Sequence, residues 1–342
     1  MESKTVLYLG NMLSKHGLTP TTVETLGNRL AIDINLLRAS DKKNKVLRLL
    51  DMLFTIWRNR SKIDFVIIDT YSSSAFKFAT LGAAFCRMNS IPYVAYLHGG
   101  DLPNRFTNSP EASKKYILGA KWVIAPSGYL ASSVKEHFKA EAKVIPNFID
   151  LENYKFTQRH SQQEPNILWV RSFHSTYQPE LAVETVAELH MQGHKATLTM
   201  VGPDKDGSME KCKELAKELG IESSVTFTGR LPKEAWIAKS IDFDIFLNTT
   251  SVDNTPVSVM EAMALGMPVV TTKVGGIPFL FEDGKEGIMV EKQTPKALAE
   301  AILSLTNQSS DILSISREAR KKAEEWDWAV VRKKWLTLFN TI

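Results

Sequence analysis

Short apolar runs that suit β-strands alternate with amphipathic runs that suit helices along almost the whole chain. In the first half the strand-like runs begin with TVLYLG at 5–10 and continue with DFVIIDT, IPYVAYLHGG and AKWVIAPS. Parallel strands need a crossover connection, which is usually a helix, so this alternation predicts parallel sheets with helices on both faces. The predicted class is therefore α/β, with doubly wound parallel sheets.

A polar stretch without periodicity, LENYKFTQRHSQQEPN at 151–166, interrupts the alternation, which then restarts at ILWVRSF. This composition predicts a linker, and 342 residues are enough for two domains of about 150 residues each. We therefore predict two Rossmann-like domains, at 1–155 and 165–325. Two such halves imply a cleft between them, with ligands at the carboxyl ends of the strands.

The chain contains only two cysteines, Cys86 and Cys212, and they have no CxxC spacing. This argues against a disulfide framework and against a cysteine-rich zinc site, and it fits a reducing compartment. The amino terminus runs almost at once into a strand-like segment, so we expect no secretion signal. No charge-free apolar run approaches the ~18 residues that span a bilayer. These features predict a cytoplasmic protein.

The positive charge is concentrated in the first half, where residues 1–150 carry 20 Lys and Arg against 12 Asp and Glu. A basic half suggests an anionic partner or a membrane surface, although a solvated basic face is an equally simple explanation. The run KKNKVLRLLDMLFTIWRNRSK at 42–62 combines an apolar face with basic ends. Such a helix could dock at a membrane interface. We favour the simpler interpretation, in which it packs on the first sheet.

The stretch TPVSVMEAMALG has residues that typically start and end a short helix. Thr255 suits the N-cap, Pro256 suits the first helical position, and Gly266 suits a left-handed residue after the helix. The predicted helix spans 256–265, with Glu261 on its second turn and Asp253 in the loop before it. Helix N-termini bind anions such as phosphate, and a carboxylate can accept two hydrogen bonds from a ribose diol. The pattern therefore predicts a nucleoside diphosphate sugar as ligand.

Glu261 could instead be an ordinary surface residue. The helix around it is apolar on nearly every side, which predicts that it is largely buried. A buried acid needs a partner, so the residues favour a functional role for Glu261.

The segment DNTPVSVMEAMALGMPVVTTKVGG at 253–276 resembles the acid-x7-Glu motif of the retaining glycosyltransferases of family 4. Asp253 stands where that motif usually has a glutamate. VIPNFIDLENYKF, ILWVRSF and VTFTGRLPKEAW resemble further segments of the family, so the resemblance covers nearly the whole chain. It implies the GT-B fold, in which two Rossmann-like, doubly wound parallel-sheet domains face each other across a cleft. It also implies that the first domain binds the acceptor, the second binds the donor, and a C-terminal helix at 326–342 crosses back.

The resemblance assigns roles to individual residues. Glu261 would bind the donor ribose, Asp253 the hydroxyls of the transferred sugar, and Arg171 the leaving diphosphate. His98, in YLHGGDLP, would lie beside the reacting carbon, with a core or capping histidine as the alternative. Asp101 could orient His98 or contact the acceptor. The other predicted donor-binding positions are Gly17, Gly202, Arg230, Thr255, Pro256 and Val257.

For three of these assignments, the sequence either departs from the family pattern or allows a simpler explanation. The family usually has a lysine a few residues after the arginine, whereas this chain reads SFHSTYQPE. Either His174 or Tyr177 would donate in its place, or Arg171 would act with helix dipoles alone. Gly17 lies in a reduced version of the family's glycine-rich loop, where a plain turn is an alternative. Gly202 could line the cleft or simply close a turn.

The acidic segment DFD at 242–244 looks like a metal-binding DxD motif, but it opens a strand rather than following one. We therefore predict that it caps the strand or is solvated at the sheet edge, and that no metal is required. No GxGxxG follows the first strand, which argues against a dehydrogenase, and the basic residues form no recognisable nucleic-acid-binding module.

Taken with these features, the resemblance implies a metal-independent, retaining, hexosyltransferase-type glycosyltransferase. Its substrates would be a UDP- or GDP-linked sugar and a glycan or lipid-linked acceptor in surface polysaccharide biosynthesis, with possible peripheral membrane contact through the basic half. One alternative is a nucleotide-sugar epimerase on the same fold. Another is an inactive partner subunit that binds nucleotide sugar, which the absent lysine and the reduced glycine loop would also explain.

Overall fold

The computed structural model of the chain describes residues 4–160, 162–307 and 309–341. The chain divides into two compact units, which are Met1–Pro146 with Arg332–Ile342, and Asn147–Val331. Position 161 of the predicted linker lies outside the described residues.

The first unit is built on a six-stranded parallel sheet in the order β2-β1-β3-β4-β5-β6. Its strands are β1 Thr5–Leu9, β2 Asn35–Ala39, β3 Phe65–Thr70, β4 Tyr93–Leu97, β5 Trp122–Ala125 and β6 Lys143–Val144. Its helices are α1 Thr22–Leu30, α2 Lys45–Asn59, α3 Phe76–Met88, α4 Leu102–Asn108, α5 Pro110–Leu118 and α6 Gly128–Phe138. Strands β3 and β4 are buried at every residue, as expected for parallel strands covered on both faces.

The second unit has a six-stranded parallel sheet in the order β12-β11-β10-β7-β8-β9. Its strands are β7 Asn166–Val170, β8 Thr197–Val201, β9 Val225–Gly229, β10 Ile245–Asn248, β11 Val269–Thr272 and β12 Ile288–Val290. Its helices are α7 Pro179–Met191, α8 Ser208–Glu218, α9 Lys233–Lys239, α10 Val257–Ala264, α11 Pro295–Asn307 and α12 Ser309–Glu324. The two doubly wound sheets confirm the predicted α/β class.

The last helix, α13 at Trp328–Asn340, begins in the second unit and continues into the first from Arg332 onward. Within the first unit, the Trp335 ring packs edge-on against Tyr96 at a centroid distance of 5.1 Å. Trp335 and Trp326 are buried core residues. Trp328 is only half-buried, because it lies at the start of α13 with Phe148 as its aromatic neighbour.

The segment at 151–166 was predicted to be a polar linker, and this description misses its packing. Tyr154 and Arg159 both belong to the second unit and are buried within it. Arg159 donates from Nη2 to the carbonyl oxygen of Ser240 at 3.0 Å. The segment is therefore held by long-range contacts that its polar, aperiodic sequence does not predict.

Both cysteines are free and buried. Across the helices in the described ranges, we find none whose length and apolar character would let it span a bilayer.

Candidate functional site

Strands β7 and β10 are neighbours in the second sheet although two other strands separate them in sequence. Arg171 directly follows β7, and Asp253 lies in the loop after β10. The Arg171 Nη2 atom forms an ion pair with Asp253 Oδ2. The structure thus brings these two predicted residues together at the point where the strand order reverses, which is where open α/β sheets bind ligands.

The Arg171 guanidinium is largely enclosed. Its Cζ atom lies 4.7 Å from the centroid of the Tyr177 ring, and its Nε is buried without a hydrogen-bond partner among the described residues. Burial lowers the pKa of Arg171 from its usual value, while Tyr177 and Glu261 raise it. An arginine stays protonated in proteins, so Nε–H remains a donor for an anionic ligand.

Gly202 at the end of β8 fixes the backbone path of Arg171. A Cβ atom at this position would lie 1.6 Å from the carbonyl oxygen of Arg171, so only glycine fits. Gly202 is therefore required because the backbone of Arg171 lies so close to it. This requirement holds whether or not Gly202 also contacts a ligand.

Two consecutive glycines after β11 hold the loop that carries Asp253. Gly276 donates its N–H to the Asp253 carbonyl oxygen at 2.9 Å. A Cβ on Gly275 would lie 2.1 Å from that oxygen, and one on Gly276 would lie 1.8 Å from the Asn254 carbonyl oxygen. The sequence interpretation gave these glycines no role, although a glycine pair at the carboxyl end of a strand is a signal of close backbone approach.

The predicted start of the α10 helix is wrong by one residue. Pro256 is extended, with ψ at 109°, and its carbonyl oxygen accepts the first helical bonds, from Val259 and Met260. Pro256 is therefore the N-cap rather than the first helical residue, and Thr255 lies outside the helix. At the other end, Gly266 has φ at +76°, as predicted for the residue after the helix.

The body of α10 is buried on all sides, as its apolar sequence predicts, and Val257 is its exposed first residue. At the amino-terminal end, Thr255 Oγ1 and Ser258 Oγ are both buried without a hydrogen-bond partner in the described parts of the chain. Buried hydroxyls normally have partners. Two unpaired hydroxyls beside free helical N–H groups therefore suit an anionic ligand.

Glu261 is buried, with 6% of its surface exposed, and it is paired as a buried acid should be. Its Oε1 accepts a hydrogen bond of 2.9 Å from the Tyr154 hydroxyl and forms an ion pair with Lys233 Nζ. Burial raises the pKa of Tyr154 well above its usual value, and the Glu261 carboxylate adds to this effect, so Tyr154 stays a donor. Neither contact uses Oε2.

Tyr154 and Lys233 are the two partners of Glu261, and sequence reasoning missed both. Tyr154 lies in the segment predicted to be a linker, and Lys233 opens α9 in LPKEAW, far from Glu261 in sequence. No spacing rule connects them. Of the two proposed substitutes for the absent lysine, Tyr177 lies under Arg171, and His174 Nδ1 accepts the Thr176 N–H at 3.2 Å.

His98 follows β4 in the first unit and is oriented by Asp69. Its Nε2 lies 2.7 Å from Asp69 Oδ1, and the same oxygen accepts the Tyr8 hydroxyl at 2.8 Å. Asp69 Oδ1 therefore fixes the orientation of the His98 ring through its Nε2 edge. The expectation that Asp101 could orient His98 is wrong, because its Oδ1 accepts from Asn104 instead, at 2.6 Å.

The remaining predicted residues occupy turns and exposed positions. Gly17 has φ at +80° and closes a short exposed turn after β1, while Arg230 is exposed just beyond β9. Asp244 Oδ2 accepts the N–H of Asn166 at 2.8 Å, so this acid caps the start of the neighbouring strand β7 rather than β10, the strand that DFD precedes. Within the described residues, no group of three or more His, Cys, Asp or Glu side chains could hold a metal ion.

Comparison with known sequence families shows to which family the chain belongs. The family described as glycosyl transferases group 1 matches residues 150–325, about half of the chain. The chain belongs to this family. A second family, glycosyltransferase family 4, matches residues 3–153.

The curated relatives that the chain matches are distant in sequence. The D-inositol 3-phosphate glycosyltransferase of Corynebacterium urealyticum is 28% identical over 163 residues, which cover 47% of this chain and 38% of that protein. The chain thus spans about two fifths of the length of the first curated relatives it matches.

Solved structures of similar fold cover the whole chain. Anabaena Alr3699/HepE, in complex with UDP and glucose, has a TM-score of 0.75 at 16% identity, covering 99% of this chain and 100% of that chain. The apo lipopolysaccharide outer core galactosyltransferase WaaB has a TM-score of 0.73 at 16% identity, with 99% and 100% coverage. These similarities and the two doubly wound sheets confirm the predicted GT-B fold.

Proposed function

We propose that the chain is a retaining, hexosyltransferase-type glycosyltransferase. It takes a sugar from a nucleoside diphosphate sugar bound by the second unit and transfers it to a glycan or lipid-linked acceptor bound by the first. The observation that carries this proposal is the buried, doubly held Glu261 on a helix whose amino-terminal end presents two unpaired hydroxyls.

The diphosphate would bind at the amino-terminal end of α10. The helix dipole favours an anion there, and the Thr255 and Ser258 hydroxyls supply further donors. Arg171 lies at the same edge of the sheet, linked to the loop before α10 through Asp253. As the bond between sugar and phosphate lengthens, charge grows on the diphosphate, and a preorganised guanidinium stabilises it.

The ribose would bind Glu261. Tyr154 and Lys233 hold Oε1 in place, so Oε2 can accept hydrogen bonds from a ribose diol without reorganisation. In this arrangement Asp253 contacts the hydroxyls of the transferred sugar.

The donor is a UDP- or GDP-linked sugar, and the similar Anabaena structure, which is in complex with UDP and glucose, favours UDP. The similar lipopolysaccharide galactosyltransferase supports a role in surface polysaccharide biosynthesis. The two free thiols fit a cytoplasmic location, and the basic charge of residues 1–150 supports peripheral contact with the inner face of the membrane.

We expect transfer without a metal and without a covalent intermediate on the protein. The acceptor hydroxyl would attack from the face that the diphosphate leaves, and the diphosphate would take its proton. His98 beside the reacting carbon remains a predicted role. Chelation of divalent ions should leave the rate unchanged, and a loss of activity that added Mg²⁺ or Mn²⁺ restores would contradict the metal-independent proposal.

The donor site is tested by thermal shift with UDP, GDP, UDP-glucose and GDP-mannose. A nucleotide that binds only the folded chain adds about 2.7 kcal/mol to the free energy of unfolding at about 100 times its Kd, which raises Tm by several degrees. We expect one nucleotide family to do this. If every compound leaves Tm unchanged, the proposed donor site is wrong.

The variant Glu261→Gln tests the ribose contact, with Glu286→Gln as its matched control. Glu286 is also buried in the second unit and accepts the Glu282 N–H at 2.8 Å. A hydrogen bond to a charged group contributes about 1.5–3 kcal/mol, so Glu261→Gln should raise the Kd of the nucleotide about 10- to 100-fold while the control does not. Unchanged affinity in Glu261→Gln would contradict the ribose contact.

The activity is tested by mass spectrometry of donor and products. Sugar transfer, or slow donor hydrolysis in water, supports the proposal. Release of an epimerised sugar nucleotide without an acceptor would indicate an epimerase, and nucleotide binding with neither reaction would indicate a binding subunit.

A further inference from the structure

Helix α2 exposes a row of large apolar side chains. Each of the five is more than half exposed, and they are Val46, Leu47, Leu50, Phe54 and Trp57. At about 100° per residue, these positions fall within about 100° of the helix circumference and extend over about 16 Å of its length. We call this surface the α2 stripe.

The opposite face of α2 already packs on the first unit. Met52 and Ile56 are buried in its core, and the buried Arg48 donates from Nε to the Lys42 carbonyl oxygen at 2.8 Å. The α2 stripe is therefore not needed to attach the helix. Single exposed apolar residues are common on proteins, whereas a continuous exposed row of this size usually marks an interaction surface.

The charges around the α2 stripe are positive at both ends of the helix. The exposed basic residues are Lys42, Lys43, Lys45, Arg58, Arg60 and Lys62. The acids of the region are engaged: Asp41 pairs with Lys15, Asp51 accepts from the Ser40 hydroxyl, and the exposed Asp64 accepts the Thr5 N–H at 2.7 Å. An occupant of this surface thus meets an apolar centre flanked by cations.

We propose that α2 lies in the interface of an anionic bilayer, with the α2 stripe among the acyl chains and the basic ends at the lipid phosphates. Trp57 suits this depth, since its ring is amphipathic and the Arg60 guanidinium lies 5.1 Å from the ring centroid. The proposal assigns the membrane contact suggested under the proposed function to one helix, α2. Membrane binding by α2 does not depend on donor binding by the second unit.

A second copy of the chain fits the α2 stripe less well. A symmetric pair of α2 helices would place basic ends against basic ends in either orientation, and like charges across an interface are unfavourable. Anionic lipid complements both the apolar row and the charges.

The test is co-sedimentation with vesicles of phosphatidylcholine alone and of equal parts phosphatidylcholine and phosphatidylglycerol. We expect binding to the anionic vesicles, and a loss of more than about tenfold in the partition coefficient for Phe54→Ser with Trp57→Ser. The matched control, Met191→Ser with Ile241→Ser, removes two exposed apolar side chains of the second unit and should bind like the wild type.

A charge-reversal pair separates the two components of binding. Arg58→Glu with Lys62→Glu should weaken binding to anionic vesicles about tenfold or more and leave any binding to neutral vesicles unchanged. A second apolar pair, Leu47→Ser with Leu50→Ser, repeats the first test should the Phe54 and Trp57 variant fail to fold.

Three results would overturn the proposal. One is a wild-type chain that still shows its nucleotide-induced thermal shift but does not sediment with anionic vesicles. Another is a stripe variant that sediments like the wild type. The third is a concentration-dependent dimer, detected by light scattering, that the stripe variants abolish, because the α2 stripe would then be a self-association surface. Absence of any nucleotide shift, with vesicle binding intact, would count only against the donor site.

Discussion

The hydroxyl of Tyr154 donates a 2.9 Å hydrogen bond to Oε1 of Glu261, across 107 positions of the chain. Arg320 holds the backbone beside both residues of this contact. Its Nη1 donates to the carbonyl oxygen of Tyr154 at 2.6 Å and to that of Ala264, three residues after Glu261, at 2.7 Å. The irregular segment after the first unit and the end of α10 are thus tied to one arginine on α12. The Glu261 carboxylate is therefore positioned by its surroundings before any ligand arrives.

Tyr154→Phe should weaken both the fold and nucleotide binding. The change leaves Oε1 of a buried carboxylate with one partner fewer, which costs about 1–2 kcal/mol in the free energy of unfolding. Because Glu261 is then less firmly held, we expect the Kd of the nucleotide to rise about 3- to 10-fold. Urea denaturation and calorimetric titration with UDP measure the two effects.

Tyr116→Phe is the control for Tyr154→Phe, since it also removes a buried hydroxyl, here paired with Thr70 Oγ1 at 2.6 Å in the first unit. It should lower stability and leave the Kd unchanged. If Tyr154→Phe also leaves the Kd unchanged, its contact with Glu261 is structural only.

Arg171→Lys should reduce the rate of sugar transfer about 10²- to 10³-fold, which is the usual effect of losing one preorganised donor at a developing anion. Lysine keeps the charge but lacks the planar fork that reaches Asp253 and stacks over Tyr177. Nucleotide affinity should fall much less than the rate. Single-turnover measurement of donor consumption separates the two effects.

The matched control for Arg171→Lys is Arg159→Lys. Arg159 is also a buried arginine of the second unit, and it donates to the Ser240 carbonyl oxygen rather than to a site residue. We expect it to lower stability without changing the rate per folded molecule. Equal rates in the Arg171 and Arg159 variants would argue against a role of Arg171 at the diphosphate.

Gly202→Ala should disturb the site through the backbone. Its Cβ would collide with the Arg171 carbonyl oxygen, and relieving such an overlap costs about 1–3 kcal/mol in the free energy of unfolding. Because Arg171 must shift, we also expect weaker nucleotide binding, measured by thermal shift with UDP.

Gly193→Ala is the control that separates the effect of atomic overlap in Gly202→Ala from the effect of an unfavourable backbone conformation. Gly193 has φ at +89°, but a Cβ there meets nothing within 4 Å, so the substitution carries only the conformational cost. It should leave nucleotide binding intact. A Gly202→Ala variant that binds UDP as tightly as Gly193→Ala would show that the Arg171 backbone tolerates displacement.

The architecture of each unit was predictable because its determinants are local. Parallel strands covered on both faces must be apolar throughout, and β3 and β4 show this directly in sequence. The α10 helix was found from its proline and glycine, although its start was misplaced because Pro256 serves as the N-cap. Such signals depend on a few neighbouring residues and need no knowledge of the fold.

The site was less predictable because its contacts depend on strand order and on isolated side chains. Arg171 meets Asp253 only because β7 and β10 are adjacent, and no sequence pattern gives that order. Tyr154, Lys233 and Asp69 each act through one long-range contact, without periodicity or a motif around them. Their roles follow from coordinates alone.

Acid should weaken the fold through Asp206, which joins the turn after β7 to the start of α8. Its Oδ1 accepts from the Ser208 hydroxyl and N–H, its Oδ2 accepts the Ser175 N–H at 2.8 Å, and the hydroxyl bond is the largest contribution that lowers its pKa to about 2. A group with a lowered pKa stabilises the folded chain above its unfolded pKa of about 4 and loses that effect as the pH falls toward 2. Urea denaturation at a series of pH values should show this loss.

Two variants test that assignment. Asp206→Asn should be less stable than the wild type near pH 7, with the difference shrinking as the pH falls from about 4 to about 2. Ser208→Ala removes the hydroxyl donor, so the pKa of Asp206 should move up toward its usual value, measured by NMR titration of the carboxyl group. If the wild type and Asp206→Asn keep a constant difference down to about pH 2, other carboxylates account for the acid sensitivity of this unit.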